Sequence, residues 1–473
     1  MTSEPLESGA AGAPPAAGAA RWNALREVMR RAREDEERPV APVEVEDRVS
    51  YGQEQLLALF ELFPESSTSY NMPRVHRLVG EVDPVALAGA LDRLVVRHES
   101  LRTSFEDTAQ GPRRRVAHNL PTGLLQVTDL RGEPAARLDE ALELARDDAA
   151  RPFDLARAPL LRARLIQLEH DVHVLVLVMH HLVGDGWSWA VVHRELSDSY
   201  SALATGCEGE QDPVRPYSDF VARQRSRVAT GQGRSSLDHW VARLHDLPPA
   251  AALPDELEMS TPTFRGAGLP LPLGEALSWA VREACYRHRV TPATLLLAAF
   301  ARTFQYAYGY TDVALAVPFA NRIHQGMDDT VGYFVHTHAI RILVPEHQSV
   351  GALLAETDSR LAEAFLHQEV PPPVMEEELR KSGSGDQLAL AFQALFVHLG
   401  QQKSQLELPG VEVSRESEFR TETTKNDLAL LVHEEGEQFL CHLEYRADLY
   451  TGQSVGRLAD TYMSVLREMV DTP

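Results

Sequence analysis

The sequence predicts an α/β protein of two similar-sized lobes, and three observations carry that expectation. At 473 residues the chain is too long for one ordinary hydrophobic core. Helix-like and strand-like apolar patterns alternate in both halves, as they do where helices cover sheets. Gly231, Gly233, Ser235 and Ser236 punctuate the middle, where a crossing between lobes is expected. The expected division is a tail and short helix over 1–44, an N-terminal lobe over 45–228 and a C-terminal lobe over 229–473. No tandem repeat is evident.

Taken in order, residues 1–20 are rich in Ala, Gly and Pro and read as a flexible tail. Trp22, Leu25, Met29 and Ala32 then recur at helical spacing before a stop at Pro39, a helix that either packs on the body or docks a partner. Asp83-Pro84 is a cap followed by a first-turn proline, and Leu87, Leu91, Leu94, Val95 and His98 follow on one helix face. Residues 171–180 are β-branched and apolar on both faces, which predicts an interior strand. Gly184-Asp185-Gly186 turns the chain, and a helix starts at or near Ser188 and runs to about Ala204. In the second half, Thr291-Pro292 opens an apolar helix through Phe300, and Val313 to Phe319 reads as a buried strand. Asp427 to His433 and Phe439 to Tyr445 read as strands joined by a Glu434 to Glu437 turn. Val455, Leu458, Tyr462, Leu466 and Met469 line a closing helix. Lys381 to Asp386 reads as a loop and 401–426 as polar and irregular.

Composition narrows the function. With 46 basic and 69 acidic residues the net charge is −23, which argues against binding nucleic acid or an anionic membrane without regard to sequence. No apolar run approaches the ~18 residues that span a bilayer, and the N-terminus lacks the basic start and apolar core of a secretory signal. Three separated cysteines, Cys207, Cys285 and Cys441, make neither a disulfide framework nor a zinc site. A cytoplasmic protein is the expectation.

The densest chemistry is Met179-His180-His181-Leu182-Val183-Gly184-Asp185-Gly186-Trp187-Ser188. Two imidazoles sit where a buried strand runs out, with a carboxylate four residues on. Adjacent strand residues face opposite sides, so the pair makes a poor chelate and favours one working and one packed imidazole. On spacing alone a catalytic histidine, a structural pair and a metal site all stay open. No GxSxG elbow, Walker loop or strand-borne GxGxxG appears, so neither a covalent nucleophile nor a nucleotide is indicated.

His180 to Gly186 reproduces HHxxxDG, and the chain resembles the condensation domains of nonribosomal peptide synthetases. Ser50-Tyr51-Gly52-Gln53-Glu54-Gln55-Leu56 looks like that family's opening motif, with Gly52 and Glu54 as departures. Arg97 to Phe105 is close to the second motif and Tyr217-Ser218-Asp219-Phe220 to the fourth. Val331 to Thr337 resembles the fifth, with His336 where Asn is usual, and His367 to Pro371 the sixth. The last motif is poorly kept at Arg380-Lys381-Ser382-Gly383. The resemblance covers about residues 45–470.

That resemblance implies two chloramphenicol-acetyltransferase-like lobes in a V-shaped pair with a tunnel between them. Its implied partners are an acyl or peptidyl carrier protein, which supplies the phosphopantetheine arm, and a small-molecule or carrier-bound acceptor. No metal and no resident cofactor is expected. His181 is the position the family sets against the acceptor nucleophile, as base or as orienting group. Asp185 either orients that ring or pairs with an arginine, for which Arg322 is the candidate. Gly186 permits close approach of backbone to the thioester, with His180, Trp187 and Ser188 in support. Arg223, Arg225, Arg227 and Arg234 form either a solvated helix face or a carrier-landing patch. With no adenylation domain, carrier domain or carrier attachment motif, the chain reads as either a domain cut from a larger assembly line or a free-standing enzyme, and the flexible start and short C-terminus favour the latter. An epimerization domain, a coenzyme-A-dependent acyltransferase and an inactive recruitment module are the alternatives.

Overall fold

A computed structural model describes residues 47–472, apart from 119–122, 132–136, 207–211, 248–262, 384–391, 402–404, 417, 418 and 420, together with Arg26, Glu27 and Arg30. The helix expected over 22–32 falls almost wholly outside these residues, as does Cys207.

The first half contains α1 (Tyr51–Leu62), β1 (Asn71–Val79), α2 (Pro84–Arg97), β2 (Thr103–Glu106), β3 (Arg113–Val116), β4 (Leu125–Asp129) and α3 (Arg137–Ala150). It continues with β5 (Leu161–Gln167), β6 (Val172–His180), α4 (Gly186–Thr205) and α5 (Tyr217–Ala229). Asp83 caps α2 as expected, accepting from Val85 N–H at 2.8 Å and Ala86 N–H at 3.1 Å. The apolar stripe Leu87, Leu91, Leu94 and Val95 then packs α2 against α4. Strand β6 lies inside a sheet of order β11-β1-β6-β5-β4, antiparallel to both neighbours. Helices cover both its faces: α2 and α4 over Leu175, Leu177 and Met179, and α3 over Val174, Val176 and Val178. That double burial is why β6 reads as an unbroken apolar run.

The second half contains α6 (Arg234–Leu244), β7 (Gly266–Pro272), α7 (Gly274–His288), α8 (Pro292–Tyr308), β8 (Asp312–Phe319), β9 (His336–Leu343), α9 (Val350–Leu366) and α10 (Pro372–Lys381). It closes with β10 (Ala394–Gln401), β11 (Glu412–Arg415), β12 (Leu428–Glu435), β13 (Gln438–Arg446) and α11 (Gly452–Asp471). Its sheet has the order β7-β13-β12-β10-β8-β9. Helices α7, α8, α9 and α11 bury one face of it around Phe300, Phe304, Phe439 and Tyr462. The β12–β13 connection is tighter than expected, because Gly436 adopts a left-handed φ of 55° and the strands run on to Glu435 and from Gln438.

One expectation is corrected. Residues 401–426 are not uniformly irregular, because β11 leaves the second lobe and pairs with β1 of the first, Val413 opposite Leu78. Leu406 and Leu408 join the first lobe's core with it. A short polar strand of this kind carries little periodic signal, since its pairing partner lies more than 300 residues away in sequence. The lobes are locked again by the loop before β9. Ser100 donates to the Val331 carbonyl at 2.6 Å and Tyr217 to the Tyr333 carbonyl at 2.6 Å. A Cβ on Gly332 would lie 2.3 Å from the Tyr217 ring, so only glycine lets this loop seat.

Candidate active site

Strand β6 ends at His180, and the chain turns through a 3₁₀ segment, His181–Val183, into α4. The turn is held from outside by Gln53, whose amide donates to the Leu182 carbonyl at 2.8 Å. The two imidazoles part company here. His180 is fully buried between the rings of Phe60 and Phe153, with Ser67 Oγ at 3.3 Å and the Leu182 N–H donating to its Nδ1 at 3.2 Å. Burial pushes its pKa down to about 3.

His181 instead lies between two tyrosines from different lobes. Its ring is 6.2 Å from Tyr70, at the start of β1, and 5.1 Å from Tyr333, in the loop before β9, both edge-on. It keeps 9% of its surface, and its Nδ1 has no hydrogen-bond partner. Burial, and after it the charge of Lys425, hold its pKa well below 6.5. The neutral ring is therefore the form present at physiological pH, and a neutral imidazole can take a proton or orient an amine.

Asp185 makes no bond to His181. It is the N-cap of α4: Oδ1 accepts from Ser188 N–H at 2.9 Å and from the Ser188 hydroxyl at 2.8 Å. The same oxygen accepts from Arg322 Nη2 at 3.0 Å, and Oδ2 from the Phe334 N–H at 3.1 Å. Arg322 also donates to the Met327 and Thr330 carbonyls at 2.7 and 2.6 Å. The Ser188 hydroxyl accepts from Arg322 at 3.1 Å and from Gly332 N–H at 3.2 Å. This network ties the turn of one lobe to the loop of the other, and both charged side chains are nearly sealed from water. The geometry matches the arginine pairing among the readings of Asp185.

Gly186, the first residue of α4, is exposed, and a Cβ there would meet only Leu399 of β10, at 3.8 Å. The space beside it is open, and Gly186 begins a 20-residue helix whose first-turn N–H groups, apart from that of Ser188 capped by Asp185, have no partner within the helix. Trp187 is 47% exposed and donates through Nε1 to the Asp328 carbonyl at 3.0 Å, so it walls the opening, whereas Trp189 is core.

His336, at the position where Asn is usual in the fifth motif, is buried between the Gln368 carbonyl (2.8 Å) and Gln224 (3.0 Å). Burial lowers its pKa to about 4. Of the basic cluster on α5 and α6, Arg223, Arg227 and Arg234 line one cavity, and Arg225 stands apart from it. Arg225 pairs with Glu54 and stacks on Tyr51, its charge 3.9 Å from the ring centre. Arg227 pairs with Glu369 at 3.2 Å, while Arg234, 57% exposed, pairs with Asp238 and Glu378. Arg223 lines a cavity of about 300 Å³ together with Arg227 and Arg234. Arg225 spends its charge at the seam between α5 and α1, on Glu54 and the Val49 carbonyl.

Sequence reasoning missed Tyr70, Tyr333 and Lys425. Tyr333 sits inside a recognised string, Val331 to Thr337, but no spacing rule brings it to His181. Tyr70 and Lys425 lie in stretches without periodicity.

Five buried histidines are held neutral by burial: His76, His180 and His338 at about 3, His336 at about 4, and His181 well below its ordinary value. Unfolding exposes them to protonation near 6.5, so the unfolded state binds more protons below that pH. Stability is expected to hold above about pH 7 and to fall as pH drops from 6.5 towards 4. Each histidine removes at most about 1.4 kcal/mol per pH unit. Urea midpoints that stay level from pH 7.5 to 5 would contradict this burial.

Residues 46–473 match the profile of the family described as Condensation domain. The chain is 33% identical over 430 residues to chondramide synthase cmdD of Chondromyces crocatus, covering 90% of this chain and 11% of that protein. Malpibaldin synthetase of Mortierella alpina is 32% identical over 429 residues, 89% of this chain and 8% of that one. The phosphinothricin tripeptide synthetase PhsC of Streptomyces viridochromogenes is 31% identical over 428 residues, 90% of this chain and 39% of that one. The chain thus spans a minor part of each relative. Among solved structures, the X-domain from teicoplanin biosynthesis superposes with a TM-score of 0.80 at 22% identity, over 92% of this chain and 98% of that one. The condensation domain of the monacolin K polyketide synthase MokA gives 0.76 at 22%, over 90% and 97%. At such identity the likeness establishes a shared fold.

Proposed function

The chain belongs to the condensation domain family, and on that premise we propose that it joins a carrier-bound acyl or aminoacyl thioester to an amine or hydroxyl acceptor. The observation that carries this reading is His181: neutral and standing between tyrosines of two lobes beside an open helix N-terminus. The acceptor's nucleophile meets the ring there. The acyl carbon–sulfur bond breaks, the acyl carbon–nitrogen or carbon–oxygen bond forms, and the acceptor's proton ends on the departing thiolate. The thioester is already activated, so no acyl-enzyme is needed. Positioning two reactants contributes up to roughly 7–11 kcal/mol and a base roughly 10²–10⁴-fold.

In this reading His181 takes or steers the proton, and the Gly186 N–H with the α4 terminus offsets charge on the thioester oxygen. Asp185, Ser188 and Arg322 hold the turn in register, and His180 packs beneath it. The phosphopantetheine arm arrives on the partner carrier protein as part of the substrate, and the natural setting is natural-product biosynthesis in the cytoplasm.

The test is intact-mass spectrometry on a panel of acyl-loaded carrier proteins offered with amine and alcohol acceptors. Loss of the acyl group together with coupled product is expected. Acyl groups that stay on every carrier, or that are lost only to water, would sink the proposal.

A further inference from the structure

Lys425 belongs to none of the strings that carry the family resemblance, yet it stands beside the imidazole they present. Its segment is pinned by backbone pairing. Gly266 N–H donates to the Glu422 carbonyl at 2.7 Å, Thr424 N–H donates to the Phe264 carbonyl at 3.0 Å, and Arg265 bridges Thr423. From that fixed point the ammonium reaches across to the first lobe, 5.4 Å from the centre of the Tyr70 ring. Tyr70 in turn flanks His181.

The residue is reachable by water yet crowded by protein, enough that burial lowers its pKa to about 8. Glu444 is the acid that acts on it, and only at a distance; among the described residues no carboxylate forms an ion pair with it. An exposed cation beside His181 with no protein carboxylate of its own is free to take an anion from a ligand.

Resting on the condensation reading above, we propose that Lys425 anchors a free carboxylate on the acceptor, so that the acceptor is an amino or hydroxy acid in solution. A single point charge suits a monoanion such as a carboxylate. With the carboxylate at Lys425, the acceptor's carbon skeleton lies along Tyr70 and its amine or hydroxyl reaches His181. The donor's own carboxyl is consumed in the thioester, and the phosphodiester of its arm sits a full arm's length from that thioester, whereas Lys425 stands beside His181; the acceptor is left as the source of the anion. An acceptor held on a second carrier has no such carboxylate, and Lys425 selects against it.

The experiment compares the proteinogenic amino acids with their matched amides as acceptors for acyl-loaded carrier, using wild type, Lys425→Met, Lys425→Arg and Lys425→Glu. Wild type is expected to favour acids over amides by about 10- to 100-fold in kcat/KM, the range of one charge-assisted contact. Lys425→Met should raise KM for the acids and erase that preference, Lys425→Arg should keep most of it, and Lys425→Glu should reverse it. Equal use of acids and amides by wild type overturns the proposal. So does an equal loss on both in Lys425→Met, or an effect confined to the donor's KM. If no acceptor couples at all, the condensation reading fails first. Calorimetry with the same acids and amides then still decides: tighter binding of acids that Lys425→Met abolishes supports the anchor, and no difference overturns it. Matching thermal melts show that each variant is folded.

Discussion

Arg322→Ala is expected to destabilise the protein by about 3–5 kcal/mol, the usual consequence of leaving one member of a buried ion pair alone. The guanidinium reaches two carbonyls, the Asp185 carboxylate and the Ser188 hydroxyl, so its loss removes four hydrogen bonds at once. Asp185 would then lose its cation in a site nearly closed to water. Arg322→Lys should recover only part of this, because one ammonium cannot span the same fork of partners. Urea titration reads the effect, and a double-mutant cycle with Asp185→Ala isolates the coupling between the two side chains. A variant that melts like wild type while losing only rate would show that the pair acts on chemistry and not on the joint between lobes.

His181→Ala should cost roughly 10²–10⁴-fold in kcat with a hydroxyl acceptor and less with an amine. A hydroxyl must shed its proton as it attacks, whereas an amine attacks neutral and loses its proton afterwards. Equal losses on both would point to orientation alone. The pH profile gives an independent reading. Burial and the nearby Lys425 charge hold the ring neutral well below pH 6.5. Lowering the pH from 7.5 to 6 should therefore leave the His181-dependent rate without a break, and the acid limb should appear lower. A limb at 6.5 would mean that the ring is in free contact with water. The variant should fold, since His181 leaves no partner unsatisfied at Nδ1.

Much of this molecule is legible from local pattern. The Asp83-Pro84 cap, the two-faced apolar run of β6, the glycine turn at 184–186 and the closing amphipathic helix are short-range effects of propensity, capping and burial. Each is written within a dozen residues, and each appears where the spacing placed it. The boundaries moved where tertiary packing extended an element. Helix α8 runs on to Tyr308 because Phe304 is buried in the second lobe's core. The sequence by itself therefore determined those elements, the α/β class, and the buried strand that runs out into the His180-His181 pair.

Only the folded chain decided what that imidazole touches. Tyr70, His181, Tyr333 and Lys425 are spread over more than 350 residues, and no local code relates them. Their meeting depends on β11 crossing to β1 and on the Gly332 loop seating against Tyr217. It depends equally on Arg322 closing over Asp185. Long-range contacts of this kind follow from the shape and charge of two surfaces packed together, whereas periodicity reports only on neighbours along the chain.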